Sequence, residues 1–199
     1  MRIFCFLLVS LSLINCTSLK DIYMTPTFSE NGALHCVIEI PGGTSKKIEF
    51  NPETKTFEVD QRNSADRIIP FLPYPANYGF IPSTVSDRSL GGDGDALDIL
   101  LIAESVPTGT VVEAIPIAML KLLDKGEYDY KVICVPSDPK KRIIDATTYT
   151  QFVKKYSKAK DIIESWFLHY DTGGDALTSE GWGNEKDALE EVTKNLKIQ

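Results

Sequence analysis

The chain is short of positive charge, histidine and long apolar runs, and each shortage removes a class of function. Lysine and arginine number 21 against 28 aspartates and glutamates, a formal net charge of -7. No basic patch is therefore available to neutralise phosphates, which excludes nucleic acid as the main partner. A polyanion can still be held if metal ions supply the positive charge. There are only two histidines, His35 and His169; both adjoin core elements and are read as structural. No internal repeat or low-complexity segment is present. At 199 residues and 43% hydrophobic, the chain has the composition of one ordinary globular domain, long enough to bury a core without staples.

The one long apolar run is at the N-terminus. Arg2 precedes residues 3–14, a run of signal-peptide rather than membrane-spanning length. It ends in Leu13-Ile14-Asn15-Cys16, which resembles a bacterial lipobox with Cys16 as the acylated residue. Asn15 departs from the usual small residue, so cleavage without a lipid is the alternative. Residues 1–16 are thus expected to be an export signal, 17–32 a polar tether and 33–199 the domain. The mature protein is expected in the periplasm or anchored to a membrane through the lipid alone, and secreted if Cys16 is unmodified. Cys36 and Cys134 lie inside apolar runs and read as small hydrophobic core residues, although export would permit a disulfide.

Residues 34–40 alternate, are rich in β-formers and stop at Pro41-Gly42-Gly43. Residues 46–50 and 56–60 read as further strands, as do 99–102, 111–123 (a pair or one bent strand) and 131–135. Residues 68–82 are aromatic and proline-rich, cannot be helical, and must pack against something. Helical periodicity appears late. Asp161, with Glu164 in the capping-box position, predicts a helix with Ile162, Ile163, Trp166, Phe167 and Tyr170 buried. Asn184 predicts a second, burying Ala188, Leu189, Val192 and Leu196. Strands first and helices afterwards give an α+β fold, a small barrel or curled sheet with helices outside.

Chemistry concentrates in residues 91–98, Gly-Gly-Asp-Gly-Asp-Ala-Leu-Asp, which run into an apolar strand. Carboxylates this close repel one another unless a cation or a proton lies between them, and oxygen ligands suit hard cations such as Mg²⁺. Residues two apart on a strand share a face, so Lys47 sits beside Glu49 and Asp129 beside Lys131. Each acid–base pair alone is most simply a solvated strand face. Their recurrence in four stretches favours a metal–phosphate site. An EF-hand reading, with Asp93, Asp95 and Glu104 as ligands, fails on Leu97, on Asp98 where the loop requires glycine, and on a strand where a helix belongs.

The order of these motifs closely resembles the soluble family I inorganic pyrophosphatases: Glu39 in the first strand, Lys47-Ile48-Glu49, residues 75–82, the aspartate octet, Asp124 through Asp129 to Lys131, then His169-Tyr170. The resemblance implies a five-stranded OB-like β-barrel with flanking α-helices, and Mg²⁺-dependent hydrolysis of pyrophosphate by attack of a water shared between metals. It implies metal ligation by Asp93, Asp98 and Asp129, with Glu39, Glu49 and Asp124 holding substrate-borne metals. Asp95 would be the general base. Lys47, Arg62, Tyr78, Lys131 and Tyr170 would bind phosphate oxygens, with Tyr74 in support and Arg67 as the alternative to Arg62. Several Mg²⁺ ions per site and a homo-oligomer are also implied. Two departures stand out. Ala96 replaces a usual proline, and Asp171 follows Tyr170 where the family commonly has lysine. Losing that charged hydrogen bond should cost about 1.5–3 kcal/mol and weaken phosphate binding. The alternative is a non-catalytic metal- or phosphate-binding module on the same fold, against which Asp95 speaks, since a pure binder has no need of a base.

Overall fold

A computed structural model describes residues 21–171 and 177–197; the expected export signal over residues 1–16, with Cys16, and residues 172–176 lie outside the described residues. The elements run β1 (Leu34–Ile40), β2 (Ile48–Asn51), β3 (Thr56–Val59), β4 (Gln61–Arg62), β5 (Ala65–Asp66), β6 (Asn77–Phe80), β7 (Asp98–Leu101), β8 (Val111–Asp124), β9 (Glu127–Tyr128), β10 (Lys131–Pro136), α1 (Tyr149–His169), β11 (Thr178–Asn184) and α2 (Glu185–Lys194). The fold is α+β, a mixed sheet with two helices.

Strands lie in the order β1-β6-β7-β10-β8-β11, and β1 pairs with β8 as well as β6. Among the described strand pairs only β7 and β10 run parallel, which sets Lys131 beside Asp98. Beyond that charged pair, β7 and β10 are apolar because both faces are covered. Ile99 and Leu101 point into one cluster with Cys36, Cys134 and the α2 residues Ala188 and Val192. Leu100, Ile133 and Val135 point into the other, with Phe152, Trp166 and Phe167 of α1. Cys36 and Cys134 are free, fully buried thiols. Residues 111–124 form one strand rather than a pair, serving β1, β10, β11 and β9 along its length.

Several expectations are corrected. The first helix starts not at Asp161 but at Tyr149, with Thr148 as its N-cap; Asp161 lies mid-helix, paired with Lys158 at 3.1 Å. The earlier half is lysine-rich and buries only Phe152, so it carries little apolar periodicity. Ile162 is exposed, as are Leu189 and Leu196; Leu196 lies past the end of α2 and bridges to Thr84 through its backbone. The Asn184 cap is present with Asp187 completing its capping box. Residues 68–82 contain strand β6, and the glycine-containing β11 carries no hydrophobic alternation that would announce it. The described part of the expected tether, residues 21–32, lies against the domain. From Tyr23 onward it packs on the domain: Thr27 Oγ1 donates to the Pro82 carbonyl at 2.9 Å, and the Tyr23 ring lies 5.3 Å from that of Phe80. Among the described residues no helix is long and apolar enough to cross a membrane.

Candidate active site

The octet is pinned before any metal is considered. Ser86 N–H donates to the Asp95 carbonyl and Gly94 N–H to the Ser86 carbonyl, both at 2.7 Å, while Leu97 N–H donates to Thr84 Oγ1 at 3.0 Å. The turn requires φ +89° at Gly94, a conformation only glycine adopts without cost. Asp93 Oδ1 accepts from Asp95 N–H at 2.9 Å. Asp98 then opens β7, so the three carboxylates sit where this hydrogen-bonded loop meets a strand.

The loop faces a cavity of about 350 Å³. Every acid singled out from the sequence lines it, Glu39, Glu49, Asp93, Asp95, Asp98, Asp124 and Asp129, with Lys47, Tyr74, Tyr78, Lys131 and Tyr170. Sequence reasoning missed two further members. Glu127 adds an eighth carboxylate from β9, and Tyr23 reaches in from the segment expected to be a tether. Glu127 was legible only as part of an acidic turn; Tyr23 had no signal. Arg62 does not line this cavity. It borders a second, of about 280 Å³, with Arg67 and Asp171; Tyr170 lines both.

Electrostatics within the cavity follow from crowding. Glu39 is buried and accepts Phe50 N–H at 2.7 Å; burial pushes its carboxyl up to about 8. Asp93 and Asp95 are also raised, first by desolvation in the cleft and then by neighbouring acids. Burial raises Asp98, offset in part by Lys131. Lys131 is 4% exposed and its ammonium contacts both Asp98 and Asp129, which hold it protonated despite burial. Tyr78 donates to Asp98 Oδ2 at 2.5 Å and accepts from Lys131 Nζ at 3.3 Å. Lys47 pairs with Glu49. The back wall is aromatic: Trp166 stacks on Tyr170 at 4.8 Å between ring centroids, packs at a tilt against Tyr74 at 4.7 Å, and donates Nε1–H to the Leu72 carbonyl at 2.9 Å.

Among the described residues no three of these acids close around a single point as a finished metal site. The Lys131 ammonium stands between two of them instead. The donor set is nonetheless all oxygen, and burial raises the pKa of its three octet carboxylates, Asp98 even with the Lys131 ammonium beside it. That is the chemistry of a site for hard divalent cations and a phosphate-bearing substrate.

Comparison with known proteins gives the family. The inorganic pyrophosphatase family model matches residues 36–198. The inorganic pyrophosphatase of Neisseria meningitidis serogroup B is 33% identical over 177 residues, covering 87% of this chain and 93% of its own. That of Haemophilus influenzae is 32% identical over 179 residues, with the same coverage, 87% and 93%. Among solved structures, an inorganic pyrophosphatase from Neisseria gonorrhoeae superposes with a TM-score of 0.73 at 31% identity, covering 89% of this chain and 96% of that one. The Thermus thermophilus inorganic pyrophosphatase gives 0.75 at 28% identity, covering 88% and 97%. The chain belongs to the inorganic pyrophosphatase family, and the family implies a divalent metal cofactor.

Proposed function

We propose that the protein hydrolyses inorganic pyrophosphate to two phosphates with Mg²⁺ as its metal. The observation that carries this is the cavity in which eight carboxylates from four separate stretches of chain converge beside Lys47, Lys131, Tyr78 and Tyr170. Asp93, Asp98 and Asp129 are suited to hold the tightest ion, and Glu39, Glu49 and Asp124 to receive ions arriving with substrate. When bound, Mg²⁺ cancels the charge of pyrophosphate and lowers the pKa of coordinated water. Asp95, exposed at the rim with a raised pKa, accepts the proton of the attacking water. That water adds to one phosphorus as the bridging P–O bond breaks. Lys47, Lys131, Tyr78 and Tyr170 hold the phosphate oxygens and take up charge on the departing group.

Finer readings rest on other supports. An OB-like five-stranded barrel is our reading of the pairing ring β1-β6-β7-β10-β8, which returns to β1. Homo-oligomer formation rests on the family resemblance and is tested by sedimentation. Export with lipid attachment at Cys16 rests on the sequence of residues 2–16; mass spectrometry of the mature N-terminus tests it, and an unmodified cysteine there refutes the anchor.

Phosphate release from pyrophosphate is measured for the chain lacking residues 1–16, with Mg²⁺ and with EDTA, beside Asp95→Asn. Release that needs metal and falls about 10²–10⁴-fold in the variant is expected. Release that is absent with metal sinks the catalytic reading and leaves a binding module; metal-dependent release unchanged in Asp95→Asn removes Asp95 as the base.

A further inference from the structure

The second cavity holds two guanidinium groups on one carboxylate. Arg62 Nη1 and Nη2 donate to Asp171 Oδ1 and Oδ2 at 3.2 and 2.9 Å, a fork-to-fork pair. Arg67 Nη2 donates to Asp171 Oδ2 at 2.8 Å, and its Nη1 donates to Asp60 Oδ2 at 3.1 Å. Three N–H groups therefore converge on Asp171. The cluster is not remote. Asp171 directly follows Tyr170, whose side chain lines both this cavity and the catalytic one. Arg67 is 15% exposed and anchored twice, whereas the Arg62 side chain is 49% exposed and held only through this pair among the contacts described.

A carboxylate and a phosphate offer a guanidinium fork the same pair of acceptor oxygens. An ion pair as exposed as that of Arg62 contributes little, because water screens it. The Arg62–Asp171 bond is thus weak enough for an incoming anion to exchange into, and strong enough to tax its binding. We propose that Asp171 is an internal anion occupying an arginine subsite beside the catalytic cavity, which a phosphate group of the substrate must displace. Asp171 thereby sets substrate affinity without touching the reacting atoms. The proposal deepens the pyrophosphatase reading and rests on it for the identity of the substrate.

Asp171→Asn keeps shape and removes charge. Its KM for Mg²⁺-pyrophosphate is expected to fall about fivefold, the equivalent of a surface ion pair, with kcat unchanged. Adding Arg62→Gln and Arg67→Gln to that variant returns KM to the wild-type value or above. Asp171→Glu, which keeps the charge, stays near wild type, and thermal melting verifies that each variant is folded. Calorimetric titration with inorganic phosphate runs in parallel and needs no turnover: Asp171→Asn should bind it more tightly. A folded Asp171→Asn protein with turnover but unchanged or raised KM and unchanged phosphate affinity overturns the proposal and makes Asp171 a structural clamp. Tighter phosphate binding without any hydrolysis by the wild type instead upholds the subsite and sinks the catalytic reading.

Discussion

Lys131 and Asp98 face each other at the same register position of two parallel strands, with the ammonium of one against the carboxylate of the other. Asp129, two residues before Lys131, takes the other side of that ammonium. The lysine thus serves as the resident cation of the acid cluster, and any metal ion bound there must share the carboxylates with it.

Removing it separates the two roles. In Lys131→Met, Asp98 and Asp129 lose their counter-charge while remaining mostly buried, a situation that costs about 3–5 kcal/mol. Without metal the variant should melt roughly 10 °C lower than wild type. Added Mg²⁺ should restore more of that loss than it adds to the wild type, because the ion replaces the missing charge. Thermal melting with EDTA and with a Mg²⁺ series measures this; an equal Mg²⁺ increment in both proteins contradicts it.

Glu39 makes metal-free stability depend on pH. Its carboxyl ionises at about 8 in the fold against 4.5 in the unfolded chain. Below 4.5 both states hold the proton and the group is neutral in effect. As pH rises from 4.5 to 8 the unfolded chain gives up the proton and the folded one keeps it, so this contribution to stability is progressively lost. Denaturant melts in EDTA across that window should show a decline that is shallower in Glu39→Gln. Divalent metal should flatten the wild-type decline, since it favours the ionised carboxylate. A Glu39→Gln profile parallel to wild type would count against the shift.

How much of this was legible before the structure depends on where the signal lives. The acids and lysines of the site were, because Asp93, Asp95 and Asp98 sit in a local octet and Lys47–Glu49 and Asp129–Lys131 are neighbours two apart on strands. That Arg62 borders the second cavity rather than the first was not legible, because it is held by Asp171, 109 residues away, a contact no local pattern encodes. Tyr23 was invisible for the same reason: it enters the site by packing on Phe50 and Phe80. The first half of α1 hid behind its lysines, and β11 is a strand because β8 presents it with a partner, not because its own residues favour one.

The octet's geometry should be sensitive at Gly94. Alanine there would keep φ near +89° only at a steric cost, and its Cβ would lie 2.5 Å from Arg88 Nε, the end of a flexible side chain that can move aside. Backbone strain is therefore the dominant penalty, about 1–2 kcal/mol. Relief by turning the peptide would shift Asp93 and Asp95. Gly94→Ala should raise the Mg²⁺ concentration giving half-maximal phosphate release several-fold while lowering the melting temperature by only a few degrees. Unaltered Mg²⁺ dependence would show that the loop reshapes without moving its carboxylates.

Glu164 ties the aromatic wall to the sheet. One of its oxygens accepts from Ser179 Oγ at 2.6 Å and the other from Trp182 Nε1 at 2.8 Å, and these two bonds hold its carboxyl below the usual glutamate range although partial burial works the other way. Two turns or less along α1 stand Trp166, Phe167 and Tyr170, all three packed at the back of the catalytic cavity. In Glu164→Ala both donors lose a charged acceptor, each worth about 1.5–3 kcal/mol where water cannot replace it. The pair is only partly buried, so a total loss of about 2 kcal/mol is expected, a fall of roughly 4–8 °C in melting temperature. Because α1 then sits more loosely on β11, Tyr170 should hold phosphate less well, and KM should rise more than kcat falls. A stability loss with an unchanged KM would mean that Trp166 and its hydrogen bond to the Leu72 carbonyl suffice to place the wall.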